Sequence, residues 1–153
     1  MFVMRGLVSS IYMETHCHAT ENMEKVKIAM SNLIPVALRN KIKFLYERLE
    51  GYYGNPIIII RLKIDDGQIA SEILKYIAGL MSDEDKEKIE RTLHLRFNNS
   101  GNFYMRVDKQ YAFKGIIKIA DHDDIIKLKI HLRTRKRKIS EIREILKNLN
   151  LLI

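Results

Sequence analysis

The sequence predicts an α+β fold, a two-layer sandwich in which a mainly antiparallel sheet of four to five strands carries helices packed on one face. Three observations predict it. Segments that alternate apolar and polar residues, as strands with one buried face do, recur along the chain. Segments with apolar residues at helical spacing are interspersed with them, and turn sequences join successive strands. No Gly-x-Gly-x-x-Gly or Walker sequence follows any strand, which disfavours a doubly wound dinucleotide fold.

The first strand is read from Ile11, Met13, Thr15 and Cys17, which alternate with Tyr12, Glu14, His16 and His18. Thr20 is the expected N-cap of the next helix, with Glu21 and Glu24 placing negative charge where the helix dipole favours it. Met23, Val26, Met30 and Leu33 form its apolar stripe, and Pro35 is expected to end it. Ile42, Phe44 and Tyr46 alternate with charged residues in a second strand. Gly51-Tyr52-Tyr53-Gly54-Asn55-Pro56 is a turn, so the second strand pairs as a hairpin with a β-branched third, Ile57 to Ile64. That strand starts nearly apolar on both faces, which places it centrally in the sheet.

Asp65 or Asp66 caps the next helix, striped by Ile69, Ile73, Ile77 and Leu80. Ser82, with Asp85 three positions on, restarts a helix that carries Ile89 and Leu93. The turn Asn98-Asn99-Ser100-Gly101-Asn102 leads into a strand with Phe103, Met105 and Val107 on one face. In the last strand Ile126, Leu128, Ile130 and Leu132 face one way, and Lys127, Lys129, His131 and Arg133 the other. Ser140 is the expected cap of a final helix striped by Ile142, Ile145, Leu146 and Leu149.

The length, 153 residues, fits a single domain over 1–153, ending in a basic loop and C-terminal helix at 133–150. With 46% apolar and 30% charged residues the composition is that of a globular protein. The densest apolar run, Pro56 to Ile60, is closed by Arg61 and is far too short to cross a membrane. Met1 to Gly6 lacks the pattern of a secretory leader, and the single cysteine, Cys17, permits no intrachain disulfide. A cytoplasmic protein without membrane partners is expected.

The net charge of +8 is concentrated at one end. Between Lys127 and Lys147 nine basic residues face only Glu141 and Glu144, so this segment nets +7 and the rest of the chain +1. Such a distribution is the electrostatic footprint of a protein that binds a polyanion. The outward cations of the last strand repeat about every 7 Å, close to the phosphate spacing of a nucleic-acid strand. Arg135, Lys136, Arg137 and Lys138 extend the row, against the plainer reading of a solvated surface. Tyr104, Tyr111 and Phe113 lie near Arg106, Lys109 and Lys114, which suits base stacking, or else a core of Phe103 and Phe113 with tyrosines at its rim.

Other constellations point to structure rather than chemistry. His16 and His18 share one strand face and Cys17 the other, so the three cannot converge on a metal. No metal and no cofactor are expected. Asp65-Asp66, Asp108 and Asp121 to Asp124 resemble a magnesium-dependent nuclease set, but each sits at an element boundary where aspartate caps. Cys17 falls on the buried face without a cationic neighbour, unlike a reactive thiolate.

Three stretches resemble an archaeal family of small RNA-binding proteins described as predicted exosome subunits. They are Ser9-Ser10-Ile11 leading to His18-Ala19-Thr20-Glu21, then Gly51-Tyr52-Tyr53-Gly54-Asn55-Pro56-Ile57, then Arg106-Val107-Asp108-Lys109-Gln110-Tyr111-Ala112. Asp123-Asp124-Ile125-Ile126 also resembles the family, and the match spans about residues 7 to 132. The resemblance implies a fold similar to the large-subunit ribosomal protein that binds 5S rRNA, and RNA binding without a known catalytic activity. The expectation is a non-catalytic RNA-binding protein, linked to an RNA-processing complex. It grips RNA through Lys127, Lys129, His131, Arg133 and Arg135 to Lys138, assisted by Arg106, Lys109, Tyr104 and Tyr111. The alternatives are an interaction subunit that docks an acidic protein and, behind it, a metal-dependent nuclease.

Overall fold

The computed structural model describes residues 6–51 and 54–153. The reading of the leader at Met1 to Arg5, and Tyr52 and Tyr53 of the turn, lie outside the described residues. In chain order the elements are β1 (Val8–His18), α1 (Met23–Ser31), β2 (Phe44–Glu50), β3 (Pro56–Ile64), α2 (Gly67–Leu80), α3 (Asp83–Arg91), β4 (Asn102–Asp108), α4 (Lys109–Phe113), β5 (Ile125–Leu132) and α5 (Ile139–Asn148). The strands form one five-stranded sheet in the order β2-β3-β1-β5-β4, and every neighbouring pair is antiparallel. The predicted α+β architecture is therefore the observed one.

Register follows from the alternation. Met13 of β1 pairs with Leu62 of β3 and Leu128 of β5, and Leu128 pairs with Met105 of β4. These residues share a face with Ile11, Ile60, Phe103, Val107, Ile126 and Ile130 and are buried in one cluster. Val26 and Met30 of α1, Ile73 and Ile77 of α2, and Ile142 and Leu146 of α5 close the same cluster. A one-residue slip of any strand would turn its apolar set to solvent and its charges inward, so burial locks the register.

The opposite face of the sheet contributes nothing to that core. It carries Tyr12, Glu14 and His16 of β1, Lys127, Lys129 and His131 of β5, and Asn102, Tyr104 and Arg106 of β4. No helix among the described residues is long and apolar enough to cross a membrane.

Several boundaries differ from the sequence expectations, each for a local reason. The N-cap of α1 is Asn22, whose side chain accepts from the Lys25 N–H at 3.2 Å, not Thr20. Glu21 is drawn away from the helix: its carboxylate accepts from the His18 N–H and from Lys109. The helix then stops at Ser31, before Pro35, because Asn32 turns its amide to the Ala112 and Phe113 carbonyls of α4. The central strand is β1; β3 lies one in from the edge, and its outward Ile59 is 95% buried without joining the main core. Lys138, not Ser140, occupies the N-cap position of α5. Phe113 is exposed, beside the Lys25 ammonium, rather than in the core.

Candidate nucleic-acid interface

Strand alternation puts Lys127, Lys129 and His131 on the open face of the sheet, opposite the buried Ile126, Leu128 and Ile130. Cross-strand pairing, which the sequence does not show, then sets them in rows. Lys129 stands between Tyr12 on β1 and Tyr104 on β4; Lys127 stands between Glu14 and Arg106; His131 stands between Ser10 and Asn102. The Lys127 Nζ lies 5.7 Å from the centroid of the Tyr104 ring, and His131 Nδ1 is 3.0 Å from the Asn102 Oδ1.

The tyrosines are held at their tips. The Tyr12 hydroxyl donates to Glu14 at 3.3 Å, and the Tyr104 hydroxyl accepts from the Asn98 amide at 3.0 Å. Burial, seconded by the Glu14 charge, pushes the Tyr12 phenol up from its ordinary range, so it stays a neutral donor. Tyr12 was not singled out in the sequence: alternation put it on the polar face, but only pairing with Lys129 sets it beside Tyr104.

The acidic groups of this face are engaged by another cation. Arg61 on β3 pairs with Glu47 of β2 and lies 3.6 Å from Glu14. Glu14 is thus engaged away from Lys127, its register neighbour. Among the described residues neither Lys127 nor Lys129 has a carboxylate within 4.0 Å, and the same holds for Arg133, Arg135, Lys136, Arg137 and Lys138.

Beyond β5 the chain turns, and Arg133 stays exposed while its Nε donates to Ser9 at 3.2 Å. The Glu141 carboxylate accepts from the backbone N–H groups of Arg135, Lys136 and Arg137 at 2.9, 3.1 and 3.2 Å. Those bonds hold the Glu141 carboxyl below the usual carboxylate range, Arg135 contributing most, against a smaller opposing effect of burial. Within the same turn Arg137 takes φ +54°, unusual for a residue other than glycine. The side chains of Arg135, Lys136, Arg137 and Lys138 all remain exposed around the tied carboxylate.

Three of the candidate residues do something else. Lys109 is a correction: its side chain is 96% buried and its ammonium lies 2.8–2.9 Å from the His16 carbonyl, Glu21 and Asp124, so it offers no cation to a ligand. Arg106 faces outward beside Lys127, yet its guanidinium donates to the His122 carbonyl at 2.9 Å and lies 3.9 Å from Asp123. Tyr111 sits on α4 rather than the sheet, its ring beside Lys118 at 4.7 Å and Lys114 at 5.8 Å. It belongs to a separate surface.

The aspartates and histidines have structural partners. Asp108 caps α4 through the Tyr111 N–H and its other oxygen lies 2.8 Å from His122 Nε2. Asp124 holds Lys109 and Gln110, Asp121 holds Lys88, and Asp66 caps α2. Among the described residues no three metal-ligating side chains converge. Cys17 is buried, and that burial pushes its thiol up.

Comparison with known proteins gives this surface a context. A family described as RNA binding matches residues 10–132. The chain is 36% identical over 147 residues to the uncharacterised protein MJ0213 of Methanocaldococcus jannaschii, covering 93% of this chain and 97% of that one. It is 33% identical over 125 residues to the RNA-binding protein PAB1135 of Pyrococcus abyssi, covering 81% of each. Among solved structures it superimposes on protein AF2318 of Archaeglobus fulgidus with TM-score 0.79 and 25% identity, covering 93% of this chain and 99% of that one. It superimposes on Mth689, a DUF54 protein of Methanothermobacter thermautotrophicus, with TM-score 0.73 and 31% identity, covering 91% and 98%.

Proposed function

The chain belongs to this RNA-binding family, and we propose that it binds RNA without cleaving it, gripping the phosphate backbone through the outward row of β5 and the loop that follows. One observation carries this reading: Lys127, Lys129, Arg133 and Arg135 to Lys138 stand exposed, with no carboxylate within 4.0 Å among the described residues. A solvated surface that served only solubility would intersperse both signs, as the rest of this chain does. Here the face's own carboxylate, Glu14, is engaged by Arg61, and the loop's Glu141 by backbone N–H groups.

The backbone grip supplies affinity rather than sequence choice, because phosphates carry no base information. His131 and Arg106 line the same face and would complete the contact zone. The non-catalytic part of the proposal is supported by the structural employment of Asp108, Asp121 and Asp124. The sequence resemblance adds an expected place beside an RNA-processing complex such as the exosome.

The test is direct. Purified protein is titrated into labelled RNA at low and moderate salt, with the same RNA followed for cleavage in magnesium and in manganese. Binding that weakens with salt, with RNA left intact, is the expected result. Absence of binding, with capture of an acidic protein instead, would overturn the reading; so would cleavage lost on Asp108→Asn or Asp124→Asn.

A further inference from the structure

Resting on the RNA-binding reading above, we infer that the open sheet face over β1, β5 and β4 takes unpaired RNA, Tyr12 and Tyr104 each stacking one base on either side of Lys129. The two rings occupy one row of the sheet, paired in register to the same lysine. Each strand-to-strand step is about 4.8 Å, so their Cα atoms stand about 10 Å apart. That is too far for one base to cover both rings, and it suits two bases of one strand. The ammonium of Lys129 then lies between them, where the phosphate linking the nucleotides passes.

The occupant is set by chemistry. The face presents two aromatic rings, Tyr12 and Tyr104, among cations, with Glu14 and Glu47 both engaged by Arg61. An acidic protein would satisfy the lysines and leave the rings idle. A duplex would satisfy the lysines too, but its bases are stacked on one another and turn no face outward. Only an unpaired strand uses both components, because every base has a π-face and every linkage a charge. The rings are also held in place beforehand, Tyr12 by Glu14 and Tyr104 by Asn98, so little freedom is lost when a base arrives.

The experiment compares a ten-nucleotide unstructured RNA with the same strand annealed to its complement, by fluorescence anisotropy at several salt concentrations. The proteins are wild type, the Tyr12→Leu/Tyr104→Leu double variant and the Tyr12→Phe/Tyr104→Phe double variant, with thermal melts of each. Base–aromatic stacking is worth roughly fivefold or more per ring, so the leucine variant should bind the unpaired strand at least about 20-fold more weakly. Its salt slope should not change, since no cation is lost, and its duplex affinity should hold. The phenylalanine variant keeps both rings but loses their tip bonds, and should bind far closer to wild type than the leucine variant does; it serves as the folded control, and the single Tyr12→Leu and Tyr104→Leu variants stand in if the double one melts early. If leucine at both positions leaves affinity for the unpaired strand unchanged, the stacking inference falls while the phosphate grip stands. If wild type binds neither RNA, both fall.

Discussion

The Lys109 ammonium lies 2.9 Å from the Glu21 carboxylate in a site where the lysine side chain is only 4% exposed. Asp124, also at 2.9 Å, and the His16 carbonyl complete its shell. One buried cation thereby ties together the end of β1, the approach to α1, the start of α4 and the start of β5. Burying a charge is tolerable only with such partners, and removing one member of a buried set costs more than the set contributes over apolar residues. Lys109→Met should lower unfolding free energy by about 3 kcal/mol in urea titrations. RNA affinity of the folded fraction should keep its wild-type salt slope, because Lys109 touches no phosphate.

Asp124 gives the same corner a pH signature. Burial raises its pKa, but the Lys109 and Gln110 hydrogen bonds and the charges of Lys109 and His122 outweigh that and leave it below the usual carboxylate range. A depressed pKa in the folded state means that the unfolded chain binds the proton more readily. The stabilisation is therefore fully present above the ordinary aspartate value of about 3.9 and is lost as pH falls through the folded value. Thermal melts from pH 7 to pH 3 should show a steeper acid decline for wild type than for Asp124→Asn, which starts lower and changes less.

Glu141 should behave as the clamp of the basic loop. In Glu141→Gln the amide still accepts, but without charge, and the Arg135, Lys136 and Arg137 N–H groups lose strength of contact. Hydrogen exchange at those three amides should quicken severalfold, while exchange in β5 stays as in wild type. Equal rates in both proteins would show that the loop holds its shape without the carboxylate.

Much of this architecture was legible in the residues. The alternation of Ile126 to Arg133 placed Lys127 and Lys129 outward, and the hairpin of β2 with β3 followed from the turn between them. What a linear pattern does not carry is register across strands. Tyr12 and Tyr104 are 92 residues apart and meet Lys129 only because β5 inserts between β1 and β4. Lys109 looked like a surface cation for the same reason: its three partners lie 15 to 93 residues away in the chain. The caps failed where side chains had other work. Asn22 rather than Thr20 caps α1, while Glu21 turns to Lys109; Lys138 rather than Ser140 stands at the cap of α5, while Glu141 reaches the loop backbone.

Arg61 acts on the open face without standing in the basic row. Arg61→Ala frees Glu14, the register neighbour of Lys127, and Glu47 two strands further out. RNA affinity should fall, most at low salt, where repulsion by the two carboxylates is least screened. The triple variant Arg61→Ala/Glu14→Ala/Glu47→Ala should recover at least wild-type affinity, since the set, one cation against two carboxylates, then carries no charge at all. Failure to recover would mean that Arg61 itself contacts the RNA. Anisotropy at two salt concentrations separates the two.

The salt dependence of RNA affinity tests the central claim most directly, in wild type against a Lys127→Ala/Lys129→Ala/Arg133→Ala/Arg135→Ala variant. These side chains are exposed and outside the core, and the only hydrogen bond the variant loses is that of Arg133 to Ser9, so it should melt close to wild type. Each phosphate contact adds about 0.7 to the logarithmic salt slope on a single strand, so losing four should flatten it by roughly 3 units. A folded variant that binds with the wild-type slope would contradict the account and place the RNA site elsewhere on the protein.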